Sequence, residues 1–160
     1  MWRVLIRLMV QMPRAIDEDL SLRGGLSLTR YVVLMRLSEA RDQTLRMSDL
    51  AEATAISPSR MTRVVQSMIT EGLVSRRVSP EDARANLATL TETGLQRLRD
   101  VWPAHLAGVR ALVLDHIQPE DLSDFSRVVE GLLRAIEHSS APATRAARAH
   151  DVGGIEHGAA

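Results

Sequence analysis

At 160 residues, 45% of them apolar, the chain is long enough to bury one sizeable core and too short for a second catalytic lobe, so one domain is expected. Twenty basic residues, all of them arginine, balance twenty acidic ones; this argues against a nonspecific coater of nucleic acid and allows a protein that reads one particular site. The lack of cysteine excludes disulfides, thiolate metal sites and thiol-based redox sensing.

The first segment, Trp2 to Leu20, sets Trp2, Leu5, Ile6, Met9, Met12 and Ile16 at helical spacing, with Pro13 expected to bend or interrupt the helix. Arg7 breaks its apolar run and no cleavage site follows, so it does not read as a secretory leader. No stretch is long enough to span a membrane, and a cytoplasmic protein without a membrane partner is expected. Gly24-Gly25 ends the segment, and Leu28-Thr29 begins a helix through about Ala40 that buries Tyr31, Leu34, Met35 and Leu37. Asp42-Gln43 turns the chain, and Thr44 to Arg46 reads as a brief strand.

The most informative stretch is Met47 to Thr91. Ser48 is placed to cap a short helix over Asp49 to Thr54, and Ser57-Pro58 signals a second helix start, a capping serine followed by proline at the first helical position. In this second helix Met61, Val64, Val65, Met68 and Ile69 make one apolar face, while Ser59, Thr62, Arg63, Gln66 and Thr70 make the opposite one. No carboxylate occurs between Ser57 and Thr70. Such a face suits a polyanion, and its serine, threonine, glutamine and arginine side chains are able to contact phosphates and base edges. Two short helices around a tight turn form a helix-turn-helix, closed by Gly72.

Beyond Gly72 the period changes. Leu73 to Val78 and Leu87 to Leu90 read as two strands around a polar tip, Ser79 to Asn86, which makes a hairpin or wing. From Ser57 to Arg84, five arginines (60, 63, 76, 77 and 84) face three carboxylates, a net charge of +2 in a molecule that is neutral overall. Double-stranded DNA is therefore the expected partner. Ser57, Ser59, Arg60, Thr62, Arg63, Gln66, Arg77 and Arg84 are the contact candidates, Arg84 in a minor groove. Asp82 is read as buttressing a wing arginine, with Arg76 as its candidate partner.

From Glu92 to about Asp115 the apolar residues trace one long helical stripe with a kink expected at Pro103, and Pro119 opens a last helix carrying Leu122, Phe125, Val129, Leu132, Leu133 and Ile136. These stripes exceed what a winged helix has to cover, and the surplus is read as a homodimer interface. A two-fold dimer presents two reading helices to half-sites roughly 34 Å apart. The fold class expected is thus mainly α with a small β-wing. Residues 1–138 form one domain, with 27–94 the winged helix-turn-helix, 1–22 and 95–138 the dimerisation helices, and 139–160 a disordered tail.

Other chemistry finds little support. The histidines at 105, 116, 138, 150 and 157 lack metal-ligand spacing, so no metal or other cofactor is expected. Asp115-His116 has no nucleophile beside it, and an enzyme is not expected. Methionines 9, 12, 35, 61 and 68 read as core filler. A dimeric protein-interaction module that keeps the winged helix as scaffold is the alternative.

The phrases LRMSDLAEAT, ISPSRMTRVVQSMITEGLVSRR and SPEDARANLATLTETG resemble the MarR family of bacterial transcriptional regulators, with its Asp-x-Arg wing tip and Leu-Thr-x-x-Gly exit, over about Trp2 to Glu137. Ser79 and Ala83 depart from the family's wing pattern, which implies fewer phosphate contacts there. The resemblance implies a promoter-binding protein that usually represses by blocking polymerase. It also implies a small aromatic or phenolic effector in a cleft between the dimer helices and the winged helix, where Met12, Ile16, Tyr31 and Met35 would lie.

Overall fold

The computed structural model describes residues 1–80 and 82–150. Among these residues six α-helices and three strands follow in the order α1 (Trp2–Gly24), α2 (Leu28–Glu39), β1 (Thr44–Arg46), α3 (Met47–Ala53), α4 (Pro58–Thr70), β2 (Val74–Val78), β3 (Asn86–Leu90), α5 (Glu92–Leu112) and α6 (Leu122–His150). By internal packing Met1–His116 forms one unit, and the chain from Ile117 forms a second.

In the first unit the period-3.6 faces converge as their spacing dictates. Tyr31, Val33, Leu34 and Leu37 of α2, Leu50 of α3, and Met61, Val65 and Met68 of α4 are all buried, together with Leu20 of α1 and Val101 of α5. Each such side chain removed from water stabilises the fold by about 1.5–3 kcal/mol. The three strands form one antiparallel sheet in the order β1-β3-β2, with Leu45 opposite Ala88 and Arg76 opposite Ala88 from the other side. The brief strand beside the wing is thus the sheet's third member.

Several local expectations are corrected. The interruption expected as one outcome at Pro13 does not occur, since α1 is helical on both sides of it, and α5 likewise stays helical through Pro103. Both prolines are exposed, so water can hydrate the carbonyl that each leaves without a helical donor. α3 begins at Met47 because β1 pairs up to Arg46, opposite Leu87, and the chain passes from sheet to helix with no residue between. Ser48 therefore lies inside the first turn and donates to Asp49 Oδ1 at 3.0 Å, capping nothing. α6 continues to His150, past the expected start of the tail at 139, while residues 151–160 lie outside the described residues.

The turn between α3 and α4 sets Ala55 at φ 52°, a left-handed conformation more usual for glycine. It brings the Ile56 N–H onto the Ala51 carbonyl at 3.1 Å, which ties the start of α4 to the end of α3. α4 ends as expected. Gly72, at φ 72°, donates to the Ile69 carbonyl and Leu73 to the Met68 carbonyl, each at 2.9 Å, the paired bonds of a Schellman cap.

Candidate nucleic-acid interface

α4 is held from below and open above. Met61, Val65 and Met68 are fully buried, whereas Ser57, Ser59, Arg60, Thr62, Arg63 and Gln66 are all exposed. The far end is fixed by Glu71, the C-cap residue, whose carboxylate pairs with Arg30 of α2. Sequence reading missed this contact, because the partners lie 41 residues apart. Ser57 is the N-cap by position, yet its hydroxyl makes no capping bond and lies 3.4 Å from the Ser59 hydroxyl. The first N–H groups of α4 thus carry the positive end of the helix dipole without an internal side-chain acceptor.

The arginines fall into paired and unpaired groups. Arg23, Arg30, Arg36, Arg41, Arg46, Arg99, Arg110, Arg127 and Arg134 each pair with a carboxylate. Arg97 donates to the Gly24 and Gly25 carbonyls. Among the described residues, Arg60 and Arg63 of α4 and Arg76, Arg77 and Arg84 of the wing have no such partner, a state shared with Arg3, Arg7 and Arg14 of α1. Charge left unneutralised on α4 and the hairpin can be met by a polyanion without first breaking an internal pair.

The wing tip corrects one expectation. Asp82 pairs with Arg46 at the β1–α3 junction, at 3.5 Å, and its other oxygen accepts the Arg84 N–H at 3.0 Å. Arg76 is not its partner. The contact joins residues 36 apart in sequence, and no local spacing announces it. By holding the backbone at Arg84, the carboxylate fixes where that free guanidinium starts. Arg76 and Arg77 are adjacent on β2, so they project to opposite faces of the hairpin.

A separate cavity of about 570 Å³ opens between α2 and α5, lined by Tyr31, Met35, Ser38, Glu39, Leu98, Arg99 and Trp102. Of the four effector candidates it takes in Tyr31 and Met35. Met12 and Ile16 of α1 are half-buried but do not line it. The Tyr31 hydroxyl and His105 Nδ1 are buried with no hydrogen-bond partner among the described residues, and the two rings lie 4.1 Å apart. Burial pushes the Tyr31 hydroxyl above its ordinary pKa of 10.0, with Glu39 adding to the effect, and burial pushes His105 below 6.5.

That shift has a testable sign. The unfolded chain takes up a proton at residue 105 as pH falls through 6.5, while the folded chain resists it until lower pH. Stability is therefore lost on acidification across that window. The melting temperature should fall from about pH 7.5 to about pH 5.5, and the slope should flatten in His105→Phe. Equal slopes in the two proteins would refute it.

Among the described residues no group of three His, Asp or Glu side chains is placed to hold a metal, and no helix is long and apolar enough to cross a membrane.

Comparison with known proteins agrees with this geometry. The MarR family model matches residues 24–85. The HTH-type transcriptional repressor YetL of Bacillus subtilis (strain 168) is 29% identical over 112 residues, which cover 70% of this chain and 66% of YetL, just under two thirds of that relative. Among solved structures, AbsC, a MarR family transcriptional regulator from Streptomyces coelicolor, is 33% identical with a TM-score of 0.75, covering 86% of this chain and 92% of AbsC. Sco3205, a MarR family transcriptional regulator from the same organism solved in complex with DNA, is 29% identical with a TM-score of 0.76, covering 84% of each chain.

Proposed function

The chain belongs to the MarR family, and from that premise we propose that it is a transcriptional regulator that binds a pseudo-palindromic duplex DNA site as a homodimer and acts as a repressor. The observation that carries this reading is the exposed, carboxylate-free face of α4, which with the wing carries five arginines that have no internal partner among the described residues. α4 reads the major groove through Ser59, Thr62 and Gln66, with Arg60 and Arg63 on base edges or phosphates. Arg77 and Arg84 extend the contact along the backbone and the adjacent minor groove.

A second copy supplies the symmetry. α1 exposes Trp2, Ile6 and Met9, and α6 exposes Phe125, Val129, Leu132 and Leu133, more apolar surface than a monomer leaves in water without reason. The cavity beside Tyr31 supports a small aromatic or phenolic effector, whose hydroxyl or carboxylate would accept a hydrogen bond from the Tyr31 hydroxyl, a donor without a partner among the described residues. Such an effector shifts the protein toward a dimer geometry that no longer fits the half-site spacing, provided it binds that geometry more tightly.

The test is a titration of a labelled duplex from the gene's own upstream region at two salt concentrations. Affinity should fall by about tenfold or more between roughly 50 and 200 mM salt, since each neutralised phosphate adds about 0.9 to the logarithmic slope. No complex at the lower salt favours the alternative, a dimeric protein-interaction module on the same scaffold.

A further inference from the structure

Thr62 differs from the other hydroxyl residues on the exposed face of α4 near its start. Its Oγ1 lies 2.9 Å from the Pro58 carbonyl, one helical turn back. A carbonyl oxygen only accepts, so the single hydroxyl hydrogen is committed to the helix's own backbone. The Ser57 and Ser59 hydroxyls, 3.4 Å apart, are not fixed in this way, since either can be the donor. What Thr62 turns outward is an acceptor oxygen and a methyl group. Its branched side chain is stiff at χ1, so the bond to Pro58 also fixes where that methyl points.

The major groove offers two hydrogen donors, the amino groups of adenine and cytosine, and one methyl group, that of thymine. An A·T pair presents an amino donor and a methyl together. A C·G pair presents the donor without a methyl, and the O6 and N7 of guanine would face an oxygen that has no hydrogen left to give. Gln66 follows one turn later on the same ridge, exposed and with its side-chain amide in no hydrogen bond among the described residues, which suits bidentate reading of adenine.

We infer that Thr62 is a specificity-determining residue that selects an A·T base pair in the major groove, accepting from the adenine amino group and packing its methyl on that of thymine. This rests on the DNA-reading role proposed above.

The test first selects a preferred duplex with the wild-type protein from a randomised pool. At each A·T pair of that site, thymine is then replaced by uracil, which lacks the methyl, and adenine by purine, which lacks the amino group. At one A·T pair in each half-site, each replacement should weaken wild-type binding by about three- to tenfold, the size of a single polar or methyl contact. Thr62→Val keeps the methyl and loses the acceptor, so it should respond to uracil and ignore purine. Thr62→Ser keeps the acceptor and loses the methyl, so it should respond to purine and ignore uracil. Unchanged melting curves check that both variants fold. Identical responses from the three proteins, or a wild type indifferent to both replacements at every A·T pair, would overturn the inference while leaving DNA binding intact. A wild type that selects no duplex would overturn the DNA-reading role and this inference together.

Discussion

Replacing Gly94 by alanine should destabilise the protein by about 4 kcal/mol or prevent its folding, near the top of the range for single substitutions. An alanine Cβ there would stand 2.0 Å from the Leu73 carbonyl oxygen and 2.8 Å from a Leu90 methyl. The carbonyl cannot withdraw cheaply, because the Thr91 N–H donates to it at 3.2 Å and the Thr91 hydroxyl, 3.0 Å away, shares its single hydrogen between this carbonyl and that of Gly72. The same hydroxyl reaches the Gly72 carbonyl at 2.7 Å and accepts the Gly94 N–H at 3.0 Å, so Thr91 caps α5 and binds the turn after α4 at once. Gly94 is thus the point where α5 is pressed against the exit of α4. Gly72→Ala is the control: its φ of 72° is strained for alanine, but a Cβ there meets nothing within 4 Å, and about 1 kcal/mol is expected. Urea denaturation of the two variants measures both. A Gly94→Ala protein as stable as Gly72→Ala would show that the contact relaxes.

This junction also marks how far the sequence could be read. The Leu-Thr-x-x-Gly exit, Leu90 to Gly94, was visible as a resemblance, but its physical reason, a threonine serving two chain segments and a glycine admitting a carbonyl, needs coordinates. Signals within one turn of helix mostly survived. Pro58 opens α4, Gly72 closes it, and the apolar faces lie inward. The serine caps at 48 and 57 did not, because a capping residue describes an isolated helix. Here β1 delivers the chain directly into α3, and the Ser57 side chain turns to Ser59. Contacts between distant residues were out of reach, and they account for the remaining differences: Asp82 on Arg46 in place of Arg76, Arg30 on Glu71, and a cavity walled by Leu98, Arg99 and Trp102 of α5 where Met12 and Ile16 of α1 were expected.

Reversing the charge at residue 63 should remove DNA binding while leaving the fold alone. Arg63 is exposed, has no ion pair among the described residues, and lies opposite the buried Met61 and Val65, so Arg63→Glu opens no cavity and should shift the melting temperature by no more than about 2 °C. In a complex it puts a carboxylate against phosphates or the electronegative edge of guanine, and affinity should fall by about a hundredfold or more at roughly 0.1 M salt. The milder Arg63→Ala should lower the logarithmic salt slope by about 2 for the dimer, about 0.9 for each copy, if the residue neutralises a phosphate, and leave the slope unchanged if it reads a base. Net charge alone is controlled by Arg41→Glu, which makes the same change at an exposed arginine already paired with Asp42. If the two reversals weaken binding equally, the effect belongs to the molecule's overall field. If only Arg63→Glu does, α4 is the surface that meets the duplex.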